Sequence, residues 1–557
     1  MLKNLFIVLG ALLISSVSSA QSKYWVYYSD KNDVSMNPTE LFSHKAIERR
    51  VKQGIDFPVE SDLPVNSEYV RTVSSLVAQE KVTSRWFNAS CVIADESQIA
   101  AVRELPFVRK VEKADRVESV VCGFGSKSRD ESKSFELDEY EREFAVAQIN
   151  RMQGDQFIKK GVNGKGVRIA IFDIGFESWK TNPAFEHLRK NNQILKTYDF
   201  VKNRENVDGY NTHGTFVLSC VAGKIGDQHL GLATGAEFLL ARTETWTEFF
   251  GEEENWLAAA EWADKEGADI INSSLGYTYH RYFREQMNGR TSFISRAASM
   301  AVSKGILVVN AAGNDGDNDW KIIGAPADND SVLSIGGIRP NSGIHTNFSS
   351  FGPTAERKLK PNVCSYGHVI GSGPKGVSET QGTSFSSPLV AGFAACAKQM
   401  RPAYNTMALF HEIEKSADLY PYYDYAHGYG VPQAGHFLGE QSTAKDNFKF
   451  INENTQVRIE LAEVDTSIID DEEPEFQFTK WPDFVFYHIE NKRGYLDKYY
   501  VVDPVDYMEI AIRSSDMPET EEADDTGGPL VISKADYKKP FTIRAYYKGT
   551  IKEIIIE

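Results

Sequence analysis

The chain has 557 residues, with 41% hydrophobic and 25% charged side chains, the composition of a folded protein with more than one core. A formal net charge of -17 argues against a general nucleic-acid binder, because a phosphate-binding surface needs a basic field. Its five cysteines match no zinc motif, and an odd count leaves at least one unpaired.

Residues 1–20 read as a signal peptide. Lys3 gives a positive start, Leu5 to Ile14 is apolar, and Ser18 and Ala20 are small residues before a cut at Gln21. The run is shorter than the ~20 apolar residues that span a bilayer, and no later segment is apolar enough to do so. No cysteine follows the cut, so no lipid anchor is expected. The protein is expected to be secreted, periplasmic or at the cell surface, with no membrane span.

Residues 21–120 read as a small α+β unit. Strands are predicted at Tyr24–Tyr28, Ala89–Ala94 and Val108–Val111, and helices at Asn37–Gln53 and Glu96–Leu105. Two helices on a small antiparallel sheet is the expected packing. Residues 121–145 read as a linker, too polar to offset its own ordering entropy and easily cut.

Residues 146–440 alternate strand and helix signals. Strands are expected at Val167–Phe172, Phe238–Ala241, Ala268–Asn272, Ile306–Asn310 and Ser331–Gly336, with helices between them such as Asn255–Lys265 and Ser292–Lys304. That order predicts an α/β fold with a parallel sheet covered by helices. Cys220 and Cys396 sit in small-residue helical stretches and read as buried thiols, so no disulfide is predicted.

Residues 445–557 read as an all-β domain, a sandwich in architecture. Its strands are expected at Phe448–Ile451, Val457–Leu461, Phe476–Phe478, Phe484–His488, Met508–Ile512, Phe541–Tyr547 and Ile551–Ile556. Lys548-Gly549 is a turn signal, and the acidic run Glu519–Asp525 reads as a solvated loop.

Four residues in the α/β region carry candidate chemistry. Asp173 closes the apolar run Gly166–Phe172, where a half-buried carboxylate can reach an imidazole; Asp also ends strands for turn reasons alone. His213 lies in Asn211-Thr-His-Gly-Thr215 at a predicted helix start; an isolated His there is more simply a capping or surface residue. Ser384 lies in Gln381-Gly-Thr-Ser-Phe-Ser-Ser-Pro388, also at a helix start, where the dipole favours negative charge. Ser386 and Ser387 compete with it and read as helix-start residues. Pro388 is expected in the first turn, where no backbone donor is lost. Asn314 follows a strand in Asn310-Ala-Ala-Gly-Asn314, where an amide could serve an oxyanion or simply make a turn.

These stretches together resemble the subtilisin-like serine protease family (peptidase S8). The matching motifs are Asp173-Ile-Gly175, His213-Gly-Thr215, Asn272-Ser-Ser-Leu-Gly276, Ala312-Gly-Asn314 and Gly382-Thr-Ser-Phe-Ser-Ser-Pro388, in the family's order, over about residues 146–435. The resemblance implies a serine-type endopeptidase with Ser384 as nucleophile, His213 as general base and then acid, and Asp173 holding the His tautomer. It also implies an oxyanion hole from Asn314 and the Ser384 amide, with Ser274, Leu275, Gly276, Ala312 and Gly313 binding substrate. The unit before the linker resembles the family's inhibitor-like propeptide, so self-cleavage between Val121 and Phe144 is expected. One departure is Ile174, where the family usually has Ser or Thr.

The resemblance further implies protein or peptide substrates, the chain's own propeptide as inhibitor, no nucleic acid, and a monomer. No cofactor is needed for catalysis, and a structural calcium is compatible with oxygen-rich loops. Asp315, Asp317 and Asp319 fit no defined calcium loop and read as a solvated turn. Trp246–Trp256, with Glu252 to Glu254, lies near the cleft in chain order; it could favour basic substrates or be a solvated acidic loop. An α/β-hydrolase esterase would need Gly-x-Ser-x-Gly and the order Ser, Asp, His, neither of which is present. A silent binding protein and a peptide ligase or macrocyclase on the same fold are the other readings.

Overall fold

The structure, a computed structural model, describes residues 21–114, 134–245, 251–279, 281–440, 446–464, 483–505 and 530–557. The predicted signal peptide, Cys122, the strands at Phe476–Phe478 and Met508–Ile512, and the acidic run 519–525 lie outside the described residues. By their contacts the described residues form two units. One takes residues up to Ser35 and from Glu60 to 114; the other takes Met36–Val59 and everything from 134 onward.

In chain order the N-terminal elements are β1 (Ser22–Tyr28), α1 (Pro38–Leu41), α2 (His44–Lys52), α3 (Ser67–Leu76), β2 (Gln79–Ser84), β3 (Ala89–Ala94), α4 (Glu96–Arg103) and β4 (Val108–Lys113). An antiparallel sheet runs β2-β3-β1-β4. Alternate residues Tyr24, Val26 and Tyr28 of β1 share a core with Val92, Val73 of α3, and Ile99 and Val102 of α4. Asp95 and Gln98 form a capping box at the start of α4.

Two helices do pack on this sheet, but one differs from the expectation. The predicted helix Asn37–Gln53 is broken at Phe42–Ser43 into α1 and α2, and both belong to the other unit. Ser43 restarts the helix by accepting from the Ala46 amide. The helix that covers the sheet is α3, which the sequence reading did not place although Tyr69, Val73 and Leu76 stand at i, i+4 and i+7.

The second unit continues with α5 (Glu139–Asn150), α6 (Gly154–Lys159), β5 (Arg168–Asp173), α7 (Glu186–Lys190), β6 (Ile194–Asp199), α8 (His213–Ala222), the short pair β7 (Lys224–Ile225) and β8 (Gln228–His229), β9 (Glu237–Arg242), α9 (Glu252–Lys265), β10 (Ile270–Ser273) and α10 (Phe293–Ser303). Then come β11 (Leu307–Ala311), β12 (Leu333–Ile338), β13 (Val363–Tyr366), β14 (His368–Gly373), β15 (Gly376–Gln381), α11 (Thr383–Met400), α12 (Thr406–Ser416) and α13 (Ala434–Leu438). The expected linker thus ends early. Residues 139–150 are helical, Asp138 and Glu141 form a capping box, and Phe144 and Ile149 are core residues.

A parallel seven-stranded sheet runs β13-β12-β11-β10-β5-β9-β6. Strand residues alternate between its faces. Ile169 and Ile171 of β5 join the core containing α8 and α11, while Phe172 meets Trp256 of α9 ring to edge at 5.6 Å. Both faces are covered, which is why these strands read as unbroken apolar runs. The chain lays β6 and β9 on one side of β5 and β10 to β13 on the other. The carboxyl ends of β5 and β10 therefore flank a switch point, where loops converge on a site.

The last region holds β16 (Phe448–Asn452), β17 (Gln456–Leu461), β18 (Val485–Asn491), β19 (Leu496–Val502), β20 (Val531–Ser533), β21 (Phe541–Tyr547) and β22 (Thr550–Ile556). Sheets β16-β17-β20 and β19-β18-β21-β22 enclose one core, including Val457, Ile459, Tyr487, Ile543 and Ala545. Lys548 and Gly549 both have positive φ and join β21 to β22 with Tyr547 opposite Thr550. The sandwich is seated on the α/β layer: Leu419 and Tyr422 pack with Phe486 and Val501, and His488 Nδ1 lies 2.6 Å from the Tyr423 carbonyl. No helix among the described residues is long and apolar enough to cross a membrane.

Candidate active site

Asp173 is the last residue of β5 and is 1% exposed. His213 is the first residue of α8, and its Nδ1 lies 2.9 and 3.0 Å from the two oxygens of Asp173. A carboxylate only accepts, so Nδ1 carries a proton, and in the neutral ring that leaves the lone pair on Nε2. The helix start reaches the strand end because residue 214 is glycine. A β-carbon there would stand 2.4 Å from the Gly175 carbonyl and 3.0 Å from Asp173 Cβ. The His213 backbone is held by Asn211 Oδ1, which accepts from its amide at 2.8 Å. Its ring packs against Phe385 with centroids 5.2 Å apart.

Ile174 offers no hydroxyl, but its backbone N–H donates to Asp173 Oδ1 at 2.8 Å. The carboxylate is thus oriented by main chain on one side and imidazole on the other.

Ser384 is the second residue of α11, and its amide is among the first-turn donors that have no acceptor within the helix. Its hydroxyl donates to the Ser274 carbonyl at 3.1 Å, and the Ser274 hydroxyl donates back to the Ser384 carbonyl at 2.8 Å. The second bond accounts for Pro388. Contrary to the expectation of a first-turn proline, α11 begins at Thr383, so Pro388 is inside the helix and cannot donate to the Ser384 carbonyl. Ser274 supplies the missing proton. Ser386 and Ser387 point elsewhere, donating to the Tyr366 carbonyl and to Asn272 Oδ1, both at 2.9 Å.

Asn314 follows β11 through Gly313, whose φ of +114° suits glycine alone. The Asn314 side-chain oxygen accepts from the Thr383 amide at 2.9 Å and the Thr383 hydroxyl at 3.0 Å. That leaves the NH₂ end to donate, and the amide stands beside Gly382, where a β-carbon would come 3.6 Å from Nδ2 and 3.8 Å from Oδ1. Ser274, Leu275 and Gly276 continue from β10, with the Leu275 carbonyl accepting from Asn310 Nδ2 at 2.9 Å. Ala312 is buried beside Gly313. Asp173 and Asn314 thus stand at the carboxyl ends of β5 and β11, on either side of β10, and His213 and Ser384 at the starts of α8 and α11. Thr383 and the Ser274 hydroxyl hold these groups; each sits inside a motif already quoted, but nothing in the sequence showed which atom it would hold.

The acidic stretch is not a solvated loop. Glu252 and Glu254 are buried in the first turn of α9, and Arg281 lies 3.9 Å from Glu252 and 3.7 Å from Glu253. Tyr282 donates to Glu253 at 2.7 Å, and burial raises the Glu253 pKa despite Arg281. Residues 246–250 lie outside the described residues. Among the described residues no three His, Cys, Asp or Glu side chains form a group able to hold a metal, and Asp315, Asp317 and Asp319 do not come together as one. Cys220, Cys364 and Cys396 are free and buried, and burial pushes the Cys220 thiol up to about 12.

Residues 164–431 match the family model described as the subtilase family, peptidase S8, and residues 23–133 match that of the peptidase S8 propeptide domain of Bacteroidota. Alkaline elastase YaB of Bacillus sp. (strain YaB) is 28% identical over 272 residues, which are 48% of this chain and 64% of that protein. The subtilisin-like protease SBT6.1 of Arabidopsis thaliana is 29% identical over 259 residues, 44% of this chain and 22% of that protein. Subtilisin Savinase of Lederbergia lenta is 28% identical over 272 residues, 48% of this chain and 90% of that one. A crystal structure of a cold adapted subtilisin-like serine proteinase aligns with a TM-score of 0.39 and 21% identity, covering 49% of this chain and 88% of that chain.

Proposed function

The chain belongs to the subtilase family, and from that premise we propose that it is a secreted serine endopeptidase made as a self-cleaving precursor. The observation that carries the reading is the paired contact of the Asp173 carboxylate with His213 Nδ1, at 2.9 and 3.0 Å, in an imidazole that packs at 5.2 Å against Phe385, the residue after Ser384. In the proposed reaction the Ser384 hydroxyl turns from the Ser274 carbonyl towards His213 Nε2. It gives up its proton there as Oγ bonds to the scissile carbonyl carbon. The Asn314 NH₂ and the Ser384 amide receive the oxyanion. The protonated Nε2 then passes its proton to the leaving amine as the peptide bond breaks. Water, deprotonated by the same nitrogen, releases the acyl group and restores Ser384. Each step is carried by a group of this chain.

A fluorophosphonate probe is expected to label Ser384, mapped by peptide mass spectrometry; a label on Ser386 would overturn the assignment. Asn314→Ala is expected to lower kcat by about 10²–10³ with KM little changed, as for loss of one oxyanion donor. An unchanged kcat would make Asn314 a turn residue.

Export is supported by the signal-like run that ends at Ala20. A cut ahead of residue 134 is supported by the contacts that follow. Ser134 already accepts from the Val377 amide at 3.0 Å, and α5 follows soon after. Amino-terminal sequencing of active enzyme is expected to start between residues 122 and 134. A start near Gln21 would refute precursor processing.

A further inference from the structure

Residues 36–59 are flanked in sequence by the first unit yet belong to the second. Two features of this strap show how it is held.

The first is a buried ionic socket. Asp264, in the last turn of α9, has no exposed side-chain surface, and neither has Arg50; Arg49 is 1% exposed. Arg50 Nη2 lies 2.9 and 2.8 Å from the two Asp264 oxygens, and Arg49 donates to Asp264 Oδ1 as well. A carboxylate is ill placed at a helix C-terminus, where the dipole is already negative. The two guanidinium groups reverse that, so Asp264 is matched to this occupant. Phe42 and Phe57 close over Arg50, with ring centroids 5.3 and 4.8 Å from its guanidinium carbon.

The second is a set of helix-end caps. The Ser43 amide donates to the Lys265 carbonyl at 2.8 Å, and Arg49 donates to the carbonyls of Ala268 and Lys304, the latter at 3.1 Å. Gln53 Nε2 donates to the Gly305 carbonyl at 2.7 Å, while its oxygen accepts from the amide and hydroxyl of Thr406, each at 2.9 Å. The strap therefore caps the ends of α9 and α10 and the start of α12 together. Gly267 and Gly305 are left-handed residues after α9 and α10. A β-carbon on them would also come within 2.8 Å of the Ala46 amide nitrogen and of Ile55 Cδ1.

We propose that residues 36–59 are a permanent part of the catalytic unit, so that cutting the chain after residue 120 does not release them. The processed protein is then two chains, with the N-terminal fragment held non-covalently through Arg49, Arg50 and Gln53. The proposal rests on the precursor reading only for the natural cut, and its test avoids that dependence. A Ser384→Ala full-length chain, with a recognition sequence for a specific endoprotease at 124–130, is cut in vitro and run on gel filtration in high salt.

The N-terminal fragment is expected to co-elute with the remainder, since buried pairs are weakly screened. Amides of residues 46–52 are expected to stay protected from hydrogen exchange. Arg49→Ala with Arg50→Ala is expected to speed fragment dissociation by roughly 100-fold or more. Should that variant misfold, Gln53→Ala, expected at roughly 5-fold, carries the same test. A catalytic fragment eluting alone would overturn the proposal. So would a retained fragment whose residues 46–52 exchange as a free peptide, or a Gln53→Ala fragment that dissociates no faster. Failure of the natural cut is read separately, by sequencing the chain that keeps Ser384.

Discussion

Ser384→Ala is expected to reduce turnover of a peptide substrate by roughly 10⁶-fold, leaving a residue of about 10³–10⁴ over the uncatalysed rate. The loss is chemical, because the geometry around residue 384 does not need its hydroxyl. The Ser274 hydroxyl bonds the backbone carbonyl of residue 384, and Asn314 bonds the backbone amide and the side chain of Thr383. Both survive in the alanine variant. Among the described residues the bond that disappears is the donation from Ser384 to the Ser274 carbonyl, which costs about 1 kcal/mol of stability. A steady-state assay on a fluorogenic peptide, run beside thermal unfolding, checks both parts. Activity within a few-fold of the parent in a folded variant would remove Ser384 from the mechanism. Ser386 and Ser387 do not replace it readily, because their hydroxyls are already spent on Tyr366 and Asn272.

Asp173→Asn is expected to cost about 10⁴ in kcat at neutral pH with the fold intact. The reason lies in the Ile174 amide, which donates to Asp173 Oδ1. An asparagine would keep its carbonyl oxygen there and turn its NH₂ towards His213 Nδ1. That nitrogen would then have to accept, which moves the imidazole proton to Nε2. An imidazole in that tautomer cannot take a proton from Ser384. Full turnover in a folded Asp173→Asn variant would show that the carboxylate does not set the tautomer. The Ile174 departure thus leaves the Asp173–His213 pair of the proposed triad oriented, since the main chain holds the carboxylate from the same residue.

Much of the α/β layer that carries the candidate site was legible because its signals are local. The apolar run before Asp173 reads as a buried parallel strand, and the small-residue stretches after His213 and Ser384 read as helices packed closely on it. The Lys548-Gly549 turn is equally short-range. Other elements were missed for the opposite reason. Strands β13 to β15 hold their strand formers Val363, Val369, Ile370 and Val377 among small and polar residues such as Ser365, Gly371 and Ser372, without a sustained alternation, and pair with what they lie beside. Helix α5 begins inside a stretch that reads as polar linker until the burial of Phe144 and Ile149 is known.

The sequence by itself therefore determined the chemistry available: an acid after a strand, an imidazole and a hydroxyl at helix starts, and an amide after a glycine bend, in one order along the chain. Tertiary structure alone decided how those groups are held. Pro388 became tolerable inside a helix because Ser274, far away in sequence, donates to the carbonyl it leaves open. The strap of residues 36–59 left the unit its neighbours build because Asp264 and the ends of three helices lie elsewhere in the chain. Local pattern encodes which face of an element is buried. Which distant polar group satisfies a buried one is set only when the chain has closed on itself.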